Sequence, residues 1–247
     1  MELEEYFHKH PKIAIALSGG ADSVYLLWEA VRCGADVGAY FVKTAFQPEF
    51  ELLDAKKAAC LCGAELRVIE GDVLSSLDIR KNPNDRCYHC KNLIFSLLRE
   101  AAAQDGYDFI IDGTNASDDE GDRPGMRALR EQGVGSPLRE CGVTKDEIRA
   151  RSAAAGLFTA SKPAYACLAT RIEAGDEITA EKLQKIERAE NALFGMGFTD
   201  FRVRLVGDAA KLQFPRAQLM GAVGQWDEIR SLIKKDFPKA ALDLKGR

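Results

Sequence analysis

Residues 12–17 (KIAIAL) form a short apolar run that stops at Ser-Gly-Gly, and an amphipathic stretch, 24–32, follows within a few residues and closes at Gly34. An apolar run of this length that breaks on glycines and resumes with helical periodicity reads as strand, tight loop (18–23, SGGADS), helix. The pattern then recurs. Residues 36–42 read as strand, 48–62 as helix closed by Gly63, 65–69 as strand, 86–104 as helix closed by Gly106, and 108–111 as strand. Strands that alternate with helices pair in parallel and are covered on both faces, so the expected fold class is α/β with a doubly wound parallel sheet. Ligands in such sheets bind beyond the C-terminal strand ends, where the loops after Leu17, Val42, Ile69 and Ile111 gather.

Further along, residues 144–155 read as a helix with Thr144 as N-cap and Glu147 completing a capping box. The polar stretch 115–125 is expected to be a surface loop or a lid over the site. After Ala160 the character changes, and a boundary is expected near Arg171. Residues 1–170 form the first domain, and 171–247 form a small α/β domain for substrate binding or oligomerisation, with strands at 201–206, 211–214 and 240–242. A homo-oligomer is expected.

Composition bounds the function. With 247 residues, the chain can bury one sizeable core or a medium core and a small one. Its net charge of −4 argues against a protein that wraps nucleic acid, and from Ile172 onward 13 Lys or Arg face 12 Asp or Glu. The first twelve residues mix charges, and no segment reaches the length of a membrane span, so a soluble cytoplasmic protein acting on a small molecule is expected. In that compartment the seven cysteines are thiols.

Ser18, Gly19, Gly20, Asp22 and Ser23 have the composition of a phosphate cradle. Glycines let backbone N–H groups turn around an anion, the helix N-terminus adds positive charge, and the serines offer hydroxyls. Asp22 suits such a loop only as ligand to a divalent metal that bridges the phosphates. The residues alone leave open an ordinary turn with Ser and Asp capping a helix. Cys87 and Cys90 lie at i, i+3 near a predicted helix start, with Asp85 as cap and with Arg86 and Lys91 beside them, where thiolates are favoured. A CxxC of this kind also fits a zinc half-site, a redox pair or two incidental thiols. Cys33, Cys60, Cys62 and Cys141 read as packing residues, and His8, His10 and His89 form no coherent metal or triad pattern.

SGGADS resembles the SGGxDS signature of the PP-loop ATP pyrophosphatases, whose members cleave ATP between the α and β phosphates. Asp112, Gly113 and Thr114, and further on Pro137-Leu138 with residues 145–148 (KDEI), match that superfamily in order. The whole series, SGGADS, NPNDRCYHCK, DGTNASDDEGDRPG, SPLRECGVTKDEI and KPAYACLATRI, is similar to the LarE family of ATP-dependent sulfur transferases. The resemblance implies a PP-loop fold binding ATP and Mg2+ at Ser18, Gly19, Gly20, Asp22, Ser23, Asp112, Gly113 and Thr114. It also implies a substrate, pyridinium-3,5-biscarboxylic acid mononucleotide, whose carboxylates are adenylated and turned into thiocarboxylates on the way to the nickel-pincer nucleotide of lactate racemase. The position of Cys167 is implied to donate sulfur, either sacrificially or with Cys87 and Cys90 as ligands of a 4Fe-4S cluster fed by a sulfide source. All three cysteines are present here, which matches the cluster-bearing branch.

Arg202 and Arg204 alternate on a predicted strand and so share a face. The resemblance assigns them, with Arg171 and Glu190, to the nucleotide substrate. Where the family usually has an acidic residue this chain has Gln213, which puts a metal site there in doubt. A second reading is tRNA thiolation or another PP-loop adenylation, but no basic domain or zinc ribbon accompanies it. A nucleotide-sensing or electron-transfer module that never cleaves ATP is a third.

Overall fold

The computed structural model describes residues 1–118 and 124–246. In chain order these form α1 (Leu3–Lys9), β1 (Lys12–Ala16), α2 (Ala21–Arg32), β2 (Asp36–Lys43), α3 (Glu49–Cys62), β3 (Leu66–Glu70), α4 (Leu77–Arg80), α5 (Arg86–Gln104), β4 (Ile110–Ile111), α6 (Pro124–Glu131), α7 (Pro137–Glu140) and α8 (Lys145–Ala154). A 3-10 turn (Leu168–Arg171), α9 (Ala180–Gly195), β5 (Arg202–Val206), β6 (Ala209–Gln213), α10 (Arg216–Gly224), α11 (Trp226–Ile233) and β7 (Lys239–Leu242) follow. They make two compact units: residues 1–73 with 85–162, and residues 74–84 with 163–247. The second unit thus starts at Pro163 rather than near Arg171, and it takes in a segment, 74–84, that the sequence reading left in the first domain.

The first unit is an α/β layer structure around a four-stranded parallel sheet of order β3-β2-β1-β4. Alternation along the strands sends side chains to two faces. Ile13 and Ile15 of β1, with Ala39 and Phe41 of β2, meet α1, α2, α3 and α8 in one apolar cluster. Ala14, Tyr40, Val42 and Ile110 meet α5 and α6 in another. Both faces are therefore dry, which is the condition under which a parallel sheet is stable. Chain order reverses between β1 and β4, so a crevice is expected at the C-terminal ends of these two strands.

Helix ends follow the sequence closely. Gly63 closes α3 in the left-handed region, and Thr144 and Glu147 form the expected reciprocal capping box on α8. Asp85 is a correction: it occupies the N-cap position of α5, but its side chain makes no cap bond and pairs instead with His89 at 3.4 Å. Cys60 is another. Cys33, Cys62 and Cys141 pack against the first cluster, whereas Cys60 is exposed, because α3 buries Leu52, Ala55, Ala58 and Ala59 and turns residue 60 outward.

In the second unit a three-stranded sheet of order β5-β6-β7 carries one antiparallel and one parallel pairing. Leu183, Ile186, Ala189 and Leu193 of α9 are buried, as are Phe201, Val203, Leu212 and Phe214, with the Phe201 and Phe214 rings 5.8 Å apart. The 74–84 segment is fastened to this unit through Asn82, whose Nδ2 donates to Glu173 O at 2.7 Å. Of the polar stretch 115–125, residues 119–123 lie outside the described residues; Asn115–Asp118 form a turn in which Asn115 N donates to Asp118 Oδ2 at 2.9 Å. Among the described residues no helix is long and apolar enough to cross a membrane.

Candidate active site

The loop after β1 is held open by its contacts with the first unit. Gly19 has φ +73°, and a Cβ there would lie 2.5 Å from Glu51 O of α3, so only glycine fits. Lys162 fastens the same residue from the side, donating to Gly19 O at 2.9 Å and to Asp54 at 2.5 Å. The hydroxyls of Ser18 and Ser23 meet at 3.0 Å, and Ser23 Oγ accepts from Ser18 N at 3.2 Å, which closes the loop from within. Gly20 is the N-cap of α2 and no side chain caps the helix, so the first N–H groups of α2 are left available to an anion.

The β4 end completes the cradle. A Cβ on Gly113 would lie 2.8 Å from Ser23 N, so this glycine allows the loop after β4 to lie against the start of α2. Asp112 is buried, and its carboxylate accepts from Thr114 N and Oγ1 and from Ser136 Oγ, which fixes the loop's course. Together Ser18, Gly20, Asp22, Ser23 and 112–114 line a cavity of about 340 Å³ whose apolar wall includes Phe41, Val42, Ile94 and Phe95. The sequence reading had named these loop residues, and the structure brings them together at one crevice.

Asp22 projects into that cavity and is met by a residue the sequence reading quoted but gave no role. Lys145 Nζ, from the first position of α8, lies 2.6 Å from Asp22 Oδ1. Burial pushes the Asp22 carboxyl above the usual aspartate range, a push that Lys145 opposes. Asp22 Oδ2 has no hydrogen bond among the described residues, so one oxygen is open to a metal.

Cys87 and Cys90 sit one turn apart at the start of α5, Cys87 exposed and Cys90 buried, and Arg86 Nη2 lies 3.7 Å from Cys87 Sγ. Cys167 belongs to the second unit, at the N-cap of the 3-10 turn. Two thiols at a helix start beside a guanidinium form a donor set suited to soft metal ligation. Among the described residues, no group of three or more His, Cys, Asp or Glu is gathered tightly enough to hold a metal.

The substrate-end residues converge inside the second unit. Arg171 and Glu190, each 1% exposed, pair at 2.9 Å through Nε and at 3.1 Å through Nη2. Glu190 also accepts from Val203 N at 2.9 Å and from the Tyr165 hydroxyl, so its acceptor positions are filled. The Tyr165 ring lies beneath two guanidinium groups, Arg171 at 4.4 Å and Arg202 at 5.0 Å. Arg171 Nη1 donates to the carbonyls of Ala166 and Cys167, which ties the cysteine's backbone to this network. Arg202 is buried and bonded to Phe201 O and Ala164 O, whereas Arg204 is exposed and donates to Gln213 at 2.6 Å. Gln213 in turn donates to Asp243 at 2.7 Å, a role a carboxylate could not fill.

No protein-family model matches the chain. It is 34% identical over 249 aligned positions, 99% of its length and 92% of the relative's, to an uncharacterised protein of Synechocystis sp.. A protein of Methanocaldococcus jannaschii, also uncharacterised, is 34% identical over 243 positions, 98% of this chain and 92% of that one. The pyridinium-3,5-bisthiocarboxylic acid mononucleotide synthase of Lactiplantibacillus plantarum is 30% identical over 238 positions, 95% of this chain and 86% of the synthase. The chain belongs to the LarE family.

Three positions in this LarE-family chain went unassigned in the sequence: Lys145, Lys162 and Tyr165. All three lay inside quoted motifs, but the partner of Lys145 is 123 residues away and that of Tyr165 is 25, separations that leave no trace in local spacing. Lys162 reaches Gly19 across 143 residues for the same reason.

Proposed function

We propose that this chain is an ATP-dependent sulfur transferase that adenylates the carboxylates of pyridinium-3,5-biscarboxylic acid mononucleotide and converts them to thiocarboxylates in nickel-pincer nucleotide biosynthesis. The observation that carries the reading is the glycine-shaped, uncapped α2 cradle at the point where strand order reverses. The product named for the L. plantarum relative supplies the chemistry such a cradle would serve.

An ionised carboxylate resists nucleophiles until one oxygen becomes a leaving group. Its oxygen attacks the α-phosphorus of ATP, the bond to the β-phosphate oxygen breaks, and pyrophosphate leaves with the electron pair. The open N–H groups of α2 and the hydroxyls of Ser18 and Ser23 are the donors that stabilise this departing charge. Asp22 would hold Mg2+, which supplies further countercharge to the phosphates. A sulfur nucleophile then attacks the acyl carbon, and AMP leaves with the electrons of the broken C–O bond. Cys87, Cys90 and Cys167 are the residues that would hold a 4Fe-4S cluster, and the chemistry such a group would bring is sulfur at the sulfide level. Arg171 keeps the Cys167 backbone in place, and Arg202 and Arg204 are the candidate partners of the substrate phosphate.

With ATP, Mg2+, sulfide and the dicarboxylate mononucleotide, each thiocarboxylate should be accompanied by one AMP and one pyrophosphate. Asp22→Ala should lower that yield by about a hundredfold or more while the protein stays folded. Unchanged pyrophosphate release in this variant would overturn the reading. Protein prepared without oxygen should carry iron and sulfide, and lose both when any of the three cysteines is replaced. Loss of the elements of hydrogen sulfide from Cys167, in active iron-free protein, would replace the cluster with a sacrificial cysteine.

A further inference from the structure

The cavity has two ends of different chemistry. The cradle at 18–23 and the loop at 112–114 supply its polar end, whereas the opposite wall is apolar, built from Phe41 and Val42 of β2 and Ile94, Phe95 and Leu98 of α5. A nucleotide that puts its phosphates on the cradle must lay the flat face of its base against that wall. The edge of the base is polar, and once out of water it needs a partner.

Outside residues 16–23 and 112–118, three polar side chains line the cavity: Tyr40, Gln47 and Lys91. Tyr40 donates its hydroxyl to Asp105 at 2.9 Å, and the ammonium of Lys91 suits an anion better than a neutral base. Gln47, in the turn between β2 and α3, is held in one orientation. Buried Thr44 donates to Gln47 Oε1 from N at 3.1 Å and from Oγ1 at 2.6 Å. A backbone N–H can only donate, so the amide oxygen faces Thr44 and the NH2 group faces away. The backbone is held too: Gln47 N donates to Thr44 O at 3.3 Å, and Gln47 O accepts from Lys43 Nζ at 2.6 Å. Gln47 Nε2 alone has no hydrogen-bond partner among the described residues. The turn therefore presents one oriented donor to the cavity.

We infer that Gln47 reads the nucleotide base, its Nε2 donating to an unprotonated ring nitrogen on the edge of the adenine. With Oε1 taken by Thr44, the side chain is a donor only. It matches an edge that presents a lone pair and opposes one that presents N–H, so the contact contributes base selectivity. Thr44 is the positioning residue. The inference rests on the ATP reading above, and inorganic pyrophosphate, which has no base, separates the two.

The test is a cycle between protein and ligand, run by calorimetric titration of the whole chain with ATP and its 1-deaza, 3-deaza and 7-deaza analogues, each of which replaces one ring nitrogen by C–H. Gln47→Leu should weaken ATP by roughly tenfold, the effect of leaving one buried acceptor unpaired, and leave inorganic pyrophosphate within about threefold. One analogue should bind the wild type roughly tenfold more weakly than ATP does and lose nothing further in Gln47→Leu, while the other two follow ATP. If Gln47 only braced its turn, Gln47→Leu would lower all four nucleotides by the same factor. That result, or wild-type ATP affinity in Gln47→Leu, would overturn the inference and leave the ATP reading standing. Circular dichroism checks folding; should Gln47→Leu not fold, Gln47→Glu takes its place in the cycle. Its carboxylate can still accept both Thr44 bonds, and its charge acts equally on all four nucleotides and cancels from the comparison. A wild-type protein that binds neither ATP nor pyrophosphate would overturn both readings.

Discussion

Replacing Glu190 with Gln tests whether the second unit is built around a buried ion pair. The substitution keeps the side chain's shape and removes its charge, leaving the Arg171 guanidinium, 1% exposed, without a counter-ion. Breaking a buried pair from one side costs about 3–5 kcal/mol, because the surviving charge stays desolvated. Glutamine can accept at one end only, so of Arg171 Nε, Arg171 Nη2, Val203 N and the Tyr165 hydroxyl, at least one donor loses a good acceptor. Against a typical domain stability of about 5–15 kcal/mol, this loss takes about a fifth or more. With a urea m-value near 2 kcal/mol/M, the midpoint should fall by about 2 M. The chain has two tryptophans, Trp28 in the first unit and Trp226 in the second, so fluorescence in a Trp28→Phe background reports on the second unit alone. Pairing Glu190→Leu with Arg171→Met should recover at least about 2 kcal/mol relative to the sum of the single losses, since the two side chains share one interaction. A loss below about 1 kcal/mol for Glu190→Gln, or strict additivity in the double variant, would refute the argument.

Gly19→Ala should abolish nucleotide binding with little change in overall secondary structure, since φ +73° and the 2.5 Å approach to Glu51 O force the loop off α3; ATP titration by calorimetry checks this. Asp243 responds to acid: hydrogen bonds from Gln213, Lys211 and the Lys245 backbone hold its carboxyl down to about 2. A folded-state value below the unfolded one contributes stability above the ordinary aspartate range and loses it as pH falls toward about 2. Asp243→Asn should therefore be less stable than wild type near neutrality, and the gap in thermal midpoint should close on acidification to about pH 2.

The α/β class, the glycine loop between β1 and α2 and most helix ends were legible in the sequence because they depend on local rules. Period-two alternation separates Ile13 and Ile15 from Ala14, glycine alone takes φ +73° at residue 19, and Thr144 with Glu147 spell a capping box. The motifs in order were enough to indicate the LarE family. Burial and long-range pairing decided the rest. Arg202 and Arg204 share a strand face in any reading, but only packing makes one buried and bonded to backbone carbonyls and the other exposed. Glu190, a candidate ligand in the sequence, has its acceptors filled by Arg171, Val203 and Tyr165. Asp22 was legible as a loop carboxylate, whereas its partner Lys145 lies 123 residues away. Side-chain patterns report what a residue's neighbours in the chain require of it; which charge meets which across the fold is set by packing, and that exists only once the chain has closed on itself.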